Sequence, residues 1–140
     1  MKQKQIKHLI KNAYNPRTFQ YVVPVRLLHD EKQLDLRLLL DTGAAYNGIS
    51  QSIFEELGIK NSGNIPVTFG GGPSSSVTGI VDTIVLNGMI RVDNQKVIVL
   101  SDAFFRAQPT LSGILGIDFL RHIGLFMGHG FIRIYQDVKD

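Results

Sequence analysis

The sequence predicts an all-β domain, a closed barrel or sandwich with one or two short helices. Short segments rich in leucine, valine and aromatic residues recur along the 140-residue chain. Turn signals separate these segments, the strongest being Asn87-Gly88. Helical spacing of apolar residues is confined to short stretches. With 44% apolar and 19% charged residues, the chain has the composition of one globular domain.

The first half of the predicted domain contains two strands and a helix. Residues 19–28 are rich in valine and aromatic residues, which predicts a strand, and the polar residues 29–33 predict a turn. Residues 34–40 alternate between apolar and polar and then become fully apolar, so this strand is expected to run from the surface into the core. A short helix is predicted at residues 52–57, where Gly58 stops it.

The second half of the chain is predicted to be built mainly of strands. These are expected at residues 65–69, 77–86, 89–92, 96–100 and 131–135, with a buried strand or loop at 111–117. A glycine- and serine-rich loop is expected between the first two of these strands, and a turn at Asp93-Asn94. Asp118 is expected to cap a short helix at residues 119–123, which Gly124 ends.

Positive charge is concentrated at the start of the chain. The net charge is +3, and four lysines lie at positions 2, 4, 7 and 11. We interpret residues 1–17 as a basic N-terminal extension, a short helix or an arm ahead of a domain at 18–137, because Asn15-Pro16 marks a break. The apolar stripe of this extension is too short to favour a membrane-surface role. Since the remainder is close to neutral, no nucleic-acid partner is predicted.

The composition also bears on the compartment. The chain contains no cysteine, which excludes disulfides and thiolate chemistry and is compatible with a reducing compartment. No apolar stretch reaches the length needed to cross a bilayer, and the first residues lack the apolar segment of a secretory signal. We therefore expect no membrane span and a cytoplasmic location.

One aspartate is distinguished by its surroundings. The apolar run Leu38-Leu39-Leu40 leads directly into Asp41, and the small residues Thr42-Gly43-Ala44 follow. A buried strand that ends in this way presents its carboxylate to a site rather than to bulk water, and small neighbours let a ligand approach closely. An aspartate that only hydrogen-bonds its own turn is the alternative interpretation, because aspartate and glycine are ordinary turn residues.

A second motif, Ile114-Leu115-Gly116, lies further along the chain and continues into Asp118-Phe119-Leu120. Taken alone, it is typical of any core strand. Together with Asp41-Thr42-Gly43, in this order and in a chain this short, it resembles the retropepsin-like aspartic proteases. The resemblance covers roughly residues 18–136. It implies an acid-protease-like closed β barrel in which Gly116 leaves room for the aspartate-bearing loop.

The resemblance also implies an assembly and a mechanism. Retropepsin-like chains are half-enzymes that are completed by two-fold homodimerisation, and Asp41 would supply one carboxylate from each copy. Thr42 would hold the two active-site loops together across the axis, Gly43 would let the backbone turn and approach the substrate, and Ala44 would support the loop. The chemistry agrees with this assembly. Peptide hydrolysis by aspartate needs two carboxylates that share a proton and a water, whereas the chain has a single Asp-Thr-Gly.

The glycine- and serine-rich loop at residues 69–79 has competing interpretations. A phosphate cradle would need a following helix and usually a lysine, whereas strand signals lie on both sides and the loop has no lysine. We interpret the loop as the family's flap, in which Gly70, Gly71 and Gly72 would close over bound peptide. An ordinary surface hairpin is the alternative. Pro109-Thr110 resembles the loop that lines the substrate pocket in viral members of the family.

The predicted function is therefore an aspartic endopeptidase that acts on peptides or proteins as a homodimer, without metal or cofactor. Two alternatives come from other classes. The first is a catalytically silent dimeric module on the same scaffold that binds peptides or proteins. The second is a nucleotide-phosphate loop of the kind found in actin-like ATPases, a fold that needs a much longer chain. The histidines show neither metal-ligand spacing nor an arrangement typical of a nucleophile triad.

Overall fold

The computed structural model describes residues 3–11, 13–69, 72–128 and 131–139, which form eleven strands and three short helices. The strands are β1 Gln3–Lys11, β2 Tyr14–Asn15, β3 Gln20–His29, β4 Lys32–Leu40, β5 Asn47–Ile49, β6 Asn64–Phe69, β7 Gly72–Leu86, β8 Ile90–Val99, β9 Gly113–Leu115, β10 Gly124–Gly128 and β11 Phe131–Lys139. The helices are α1 Gln51–Glu56, α2 Asp102–Ala107 and α3 Ile117–Leu120. The predicted all-β fold class is confirmed, with three helices in these residues rather than one or two.

The strands form two sheets. The smaller sheet has the order β1-β11-β10, and the larger has the order β2-β3-β4-β9-β5-β8-β7-β6. In addition, β3 pairs antiparallel with β7. This pairing closes β3, β4, β9, β5, β8 and β7 into a barrel, which removes the free edges that an open sheet would expose.

Alternate residues of the barrel strands fill the core. On β3, Val23, Val25 and Leu27 are buried and the residues between them are exposed, which is the two-residue period of a strand. On β4, burial begins at Leu38 and continues at Leu40, so this strand enters the core as predicted. Burying one such side chain contributes about 1.5–3 kcal/mol to the stability of the fold. The apolar faces of the strands therefore pack together inside the barrel.

Residues with specific local conformations set the ends of helix α1 and the turn between β7 and β8, as the sequence predicts. The side chain of Ser50 accepts the N–H of Ile53 at 3.2 Å and so caps α1, while Gly58, with φ +70°, follows the end of this helix. Between β7 and β8, Asn87 and Gly88 both have positive φ, at 52° and 70°. Asparagine and glycine tolerate this conformation best, which explains why the hairpin lies where the sequence predicts it.

The N-terminal segment forms a strand, so of the two predicted forms, a short helix or an arm, the helix is wrong. β1 pairs antiparallel with β11 over nine residues, from Gln3↔Lys139 to Lys11↔Phe131. Ile10 and Ala13 are buried in the main core. The apolar spacing of this segment is misleading because β11 offers it backbone partners along its whole length, whereas a helix this short is marginal by itself.

Two predicted turns also lie inside strands. The serine-rich residues 73–76 belong to β7 and pair with residues 65–68 of β6. The turn predicted at Asp93-Asn94 is wrong, because β8 runs unbroken through it, with Asn94 at φ 54°. Residues 73–76 and Asp93 pair with a neighbouring strand although their intrinsic β propensity is low, so tertiary pairing overrides the local sequence there.

The helices are short. α1 and α2 have six residues each and α3 has four. Within the described parts of the chain, no helix combines the length and the apolar character that a membrane span requires.

Candidate active site

Asp41 follows directly after β4, beside the place where three strands meet. β4 pairs parallel with β9, and β9 pairs antiparallel with β5. The Asp41 N–H donates to the carbonyl oxygen of Leu115 at 3.0 Å, so the two sequence motifs are joined where the aspartate leaves the sheet. Gly113 makes the contact between β9 and β5 possible. Its φ is +155°, and a Cβ there would lie 2.0 Å from the oxygen of Gly48.

The carboxylate of Asp41 is anchored through one of its two oxygens. Oδ1 accepts the N–H of Gly43 at 2.9 Å, and the Asp41 main-chain oxygen accepts the N–H of Ala44 at 3.2 Å. Oδ2 accepts no hydrogen bond from the residues that the structure describes. The hydrogen bond within the turn is therefore present, as the alternative interpretation requires, but it leaves the second oxygen of a half-buried carboxylate free for a water or a second carboxylate.

The turn after Asp41 packs against the start of α3. The N–H of Ile117 donates to the oxygen of Ala44 at 2.8 Å. A Cβ at Gly116 would lie 2.3 Å from the oxygen of Tyr46 and 2.8 Å from that of Ala44. Only glycine allows backbones to approach this closely, so the second motif supports the aspartate-bearing turn through main-chain contacts.

Asn47 is a site residue that the sequence interpretation missed. Its side chain is 1% exposed. The Oδ1 atom accepts the N–H of Gly116 at 3.0 Å, and Nδ2 donates to Gln95 Oε1 at 3.3 Å and to the Lys96 oxygen at 3.2 Å. Asn47 thus ties the second motif to β8 from inside the protein. The signal in the sequence that could have identified it is its position, since Asn47 is a polar residue two positions before the apolar Ile49.

An open cavity of about 510 Å³ lies beside Asp41. Four buried apolar side chains border it, and we refer to them as the pocket cluster: Val67, Ile98, Leu100 and Ile114. Among the described residues that line this cavity, Asp41 is the only acidic one. A groove of about 620 Å³ lies elsewhere, around Arg26 and Asp35, and none of the predicted site residues lines it. Of these two spaces, the cavity beside Asp41 is therefore the one that predicted site residues line.

The predicted site residues outside the flap fall into three groups. Those that line the cavity are Asp41, Gly43, Ala44 and Ile114. Leu115 and Gly116 are buried and support the aspartate-bearing turn. Thr42 is exposed on that turn and does not line the cavity.

The strand before the predicted flap also reaches the cavity. Residues 66–68 of β6 line it, and β6 pairs with β7 as far as Phe69↔Gly72. Gly72 begins β7, whereas Gly70 and Gly71 lie outside the described residues. A β hairpin therefore leads from the cavity wall to the glycines.

Pro109-Thr110, which the resemblance suggests as a pocket loop, is not part of this cavity. Thr110 lines a separate pocket of about 90 Å³ together with Tyr14 and Arg37. The cavity beside the aspartate-bearing turn is lined instead by Phe104 of α2. The difference arises because residues 102–107 form a helix between β8 and β9, and this helix, rather than the loop after it, reaches the cavity.

The predicted capping role of Asp118 is wrong. Gly116 occupies the N-cap position of α3, and Asp118 lies within the first turn. The cap position falls earlier than expected because the helix begins at Ile117, directly after the close contact at Gly116. Arg121 Nε approaches the main-chain oxygen of Asp118 at 3.4 Å rather than its carboxylate.

Replacing Asp118 is therefore expected to have a small effect. We expect Asp118→Ala to lower stability by about 0.3–1 kcal/mol, the contribution of an acidic residue near a helix N-terminus. Thermal melting measures this change, with Asp118→Asn as the control that keeps the side-chain shape. A loss of several kcal/mol in the alanine variant would show that the carboxylate has a structural partner beyond the helix terminus.

Metal ligation has no evident place in this site. Across residues 3–11, 13–69, 72–128 and 131–139, no three histidine, cysteine, aspartate or glutamate side chains are grouped so that they could hold a metal ion. The site offers one carboxylate, main-chain donors and an apolar cavity, a set that can hold a peptide and position one acid–base group.

Comparisons with known proteins agree with this geometry. The family model described as aspartyl protease matches residues 23–119, more than half of the chain. A retropepsin-like aspartic protease from Rickettsia conorii has a similar structure, with a TM-score of 0.66 and 14% identity over 99% of this chain and 98% of that one. EIAV protease complexed with the inhibitor HBY-793 matches with a TM-score of 0.49 and 22% identity, over 73% of this chain and 86% of that one. No curated protein matches the chain. The chain belongs to the aspartyl protease family, and its fold is retropepsin-like.

Proposed function

We propose that the protein is an aspartic endopeptidase that hydrolyses peptide bonds with a water activated between the Asp41 carboxylates of a homodimer. The observation that carries this proposal is the position of Asp41 at the edge of the apolar cavity, with Oδ1 held by the Gly43 N–H at 2.9 Å. A carboxylate fixed in this way keeps one oxygen directed to a water or a partner carboxylate without further reorganisation.

The chemistry follows from two carboxylates at close range. Like charges in contact cannot both ionise at low cost, so the pair holds one proton between them. The ionised carboxylate takes a proton from the attacking water while the protonated one donates to the carbonyl oxygen of the peptide. The apolar cavity holds the substrate side chain and excludes water from its surroundings.

We infer that the second carboxylate comes from a second copy, because Asp41 is the one acidic residue among the described residues that line the cavity, and three other aspartates are bonded elsewhere. Asp35 pairs with Arg26 at 2.7 Å, and this hydrogen bond lowers the pKa of Asp35. Asp93 accepts the hydroxyl of Thr83 at 2.8 Å, and Asp82 accepts a main-chain N–H at 2.7 Å. A two-fold axis beside the catalytic turn supplies the missing group by symmetry.

The other predicted site residues have roles in the same assembly. Thr42 is exposed, and in the proposed dimer it contacts the turn of the partner copy across the axis. Residues 66–68 of β6 form one side of the cavity. We assign Gly70, Gly71 and Gly72 to the tip of a flap that closes over the bound peptide, since glycines permit the backbone rotations that such a closure needs.

Dilution tests the homodimer. We expect the rate of peptide cleavage per chain to fall steeply at concentrations where sedimentation shows dissociation into monomers, because each monomer contributes only half of the carboxylate pair. A peptide library serves as the substrate, and the Asp41→Asn protein at matched concentrations gives the background. A rate per chain that stays constant through the dissociation range contradicts the proposal. Peptide binding without any cleavage favours the catalytically silent binding module instead.

A further inference from the structure

Helix α2 brings two aromatic side chains to the region of the cavity. Phe104 and Phe105 are both half-buried, and their rings meet edge to face with centroids 5.0 Å apart. Both pack against the pocket cluster. α2 itself contains no fully buried residue, and its N-cap residue Ser101 makes no side-chain capping bond. The two aromatic rings are therefore what attaches this helix to the apolar core of the site.

Only one of the two rings lines the cavity. Phe104 forms part of the lining together with Asp41 and Val67, whereas Phe105 does not. If a substrate peptide lies with its scissile bond at the Asp41 carboxylate, a substrate side chain next to that bond would enter the cavity between β6 and the Phe104 ring. The side chains of the pocket cluster that complete this space are apolar. A charged substrate side chain would lose its hydration there without gaining a partner.

We propose that Phe104 determines the size of the apolar substrate side chain that enters the cavity next to the scissile bond. The inference rests on the proposed function, because it takes Asp41 as the point at which the peptide is cut. The cavity is open and, at about 510 Å³, larger than a single side chain, so the Phe104 ring limits it only at the α2 end. Truncation of the ring lengthens the space at that end, which favours the larger phenylalanine side chain over leucine.

The test compares two alanine variants on the same helix. From a library peptide that the wild-type protein cleaves, two substrates are made that differ only in the residue before the scissile bond, leucine or phenylalanine. We expect Phe104→Ala to raise the ratio of kcat/KM for phenylalanine over leucine by at least about tenfold. Phe105→Ala should leave this ratio within about twofold of wild type, since that ring lies outside the cavity.

Two results would overturn the inference. One is a Phe104→Ala protein whose kcat/KM falls equally for both peptides, which would give the ring a purely structural role. The other is an equal shift of the ratio in both variants. Melting curves establish that each variant is folded, and Phe104→Leu replaces the alanine variant if that one does not fold. The leucine variant is expected to shift the ratio in the same direction by a smaller amount.

A binding measurement separates this inference from the proposed function. If the wild-type protein cleaves no peptide, the proposed endopeptidase activity fails. The size selection is then read from calorimetric titrations with apolar hexapeptides that carry a reduced amide and differ only in leucine or phenylalanine before it. A ratio of the two dissociation constants that changes in Phe104→Ala and not in Phe105→Ala supports the inference, and an unchanged ratio rejects it.

Discussion

Asp41→Asn is expected to abolish peptide cleavage while leaving the fold and the dimer intact. Asparagine keeps the oxygen that accepts the Gly43 N–H at 2.9 Å, so the turn should keep its shape. Asparagine cannot take a proton from the attacking water, and loss of general acid–base catalysis lowers rates by about 10²–10⁴-fold. Turnover per folded dimer and thermal melting are the two measurements. A variant that melts like wild type and cleaves at the wild-type rate shows that Asp41 is not the catalyst.

Mixing the two proteins extends this test to the dimer. Wild-type protein that exchanges subunits with an excess of Asp41→Asn protein should lose activity, because each mixed dimer has one competent carboxylate instead of two. Asp118→Asn protein is the matched control, since Asp118 lies near the same turn but contributes no acid–base group in the proposed mechanism. If the wild-type rate survives the excess of inactive subunits after exchange is complete, one chain is sufficient for catalysis.

Gly116→Ala is expected to damage both stability and activity. The added Cβ would lie 2.3 Å from the main-chain oxygen of Tyr46, and no side-chain rotation relieves a contact between two backbones. Overpacking of this kind costs about 1–3 kcal/mol, and the aspartate-bearing turn has to move away from β9. Urea unfolding gives the stability change, and turnover per folded dimer gives the activity change.

Gly124→Ala is the matched control for this glycine. There the nearest atom to an added Cβ is Tyr135 Cβ at 3.2 Å, a contact that a shift of a few tenths of an ångström accommodates. We expect the control to unfold close to the wild-type urea concentration. Equal destabilisation of the two variants would mean that the contact of Gly116 with the aspartate-bearing turn is not what makes its substitution costly.

The essentials of the site could be predicted because they are local in sequence. The apolar run Leu38-Leu39-Leu40 predicts the buried end of a strand, and the small residues after Asp41 predict a turn at that end. The Ile114-Leu115-Gly116 motif depends on an apolar pair and a glycine, which are also visible without a structure. What brings the two together, the parallel pairing of β4 with β9, is a contact between distant segments and is not encoded in either one alone.

The missed features depend on neighbours rather than on local propensity. β5 and β10 contain glycine, which weakens strand signals, and become strands because β8, β9 and β11 supply their hydrogen-bond partners. Asn47 is unremarkable in sequence, and its importance arises from Gly116, a residue far along the chain. Phe104 belongs to a helix so short that its six residues give too little periodicity to identify it.

The pairing of β1 with β11 has a consequence for how the protein is made. β1 has no partner until residues 131–139 have left the ribosome, and contacts between such distant segments form slowly because a long loop has to close. The barrel can therefore assemble before the small sheet does. In the interval β1 is an unpaired strand that carries Lys4, Lys7 and Lys11. Lysines on an unpaired strand oppose association with other chains, so we expect the basic residues of this segment to reduce aggregation of the nascent protein.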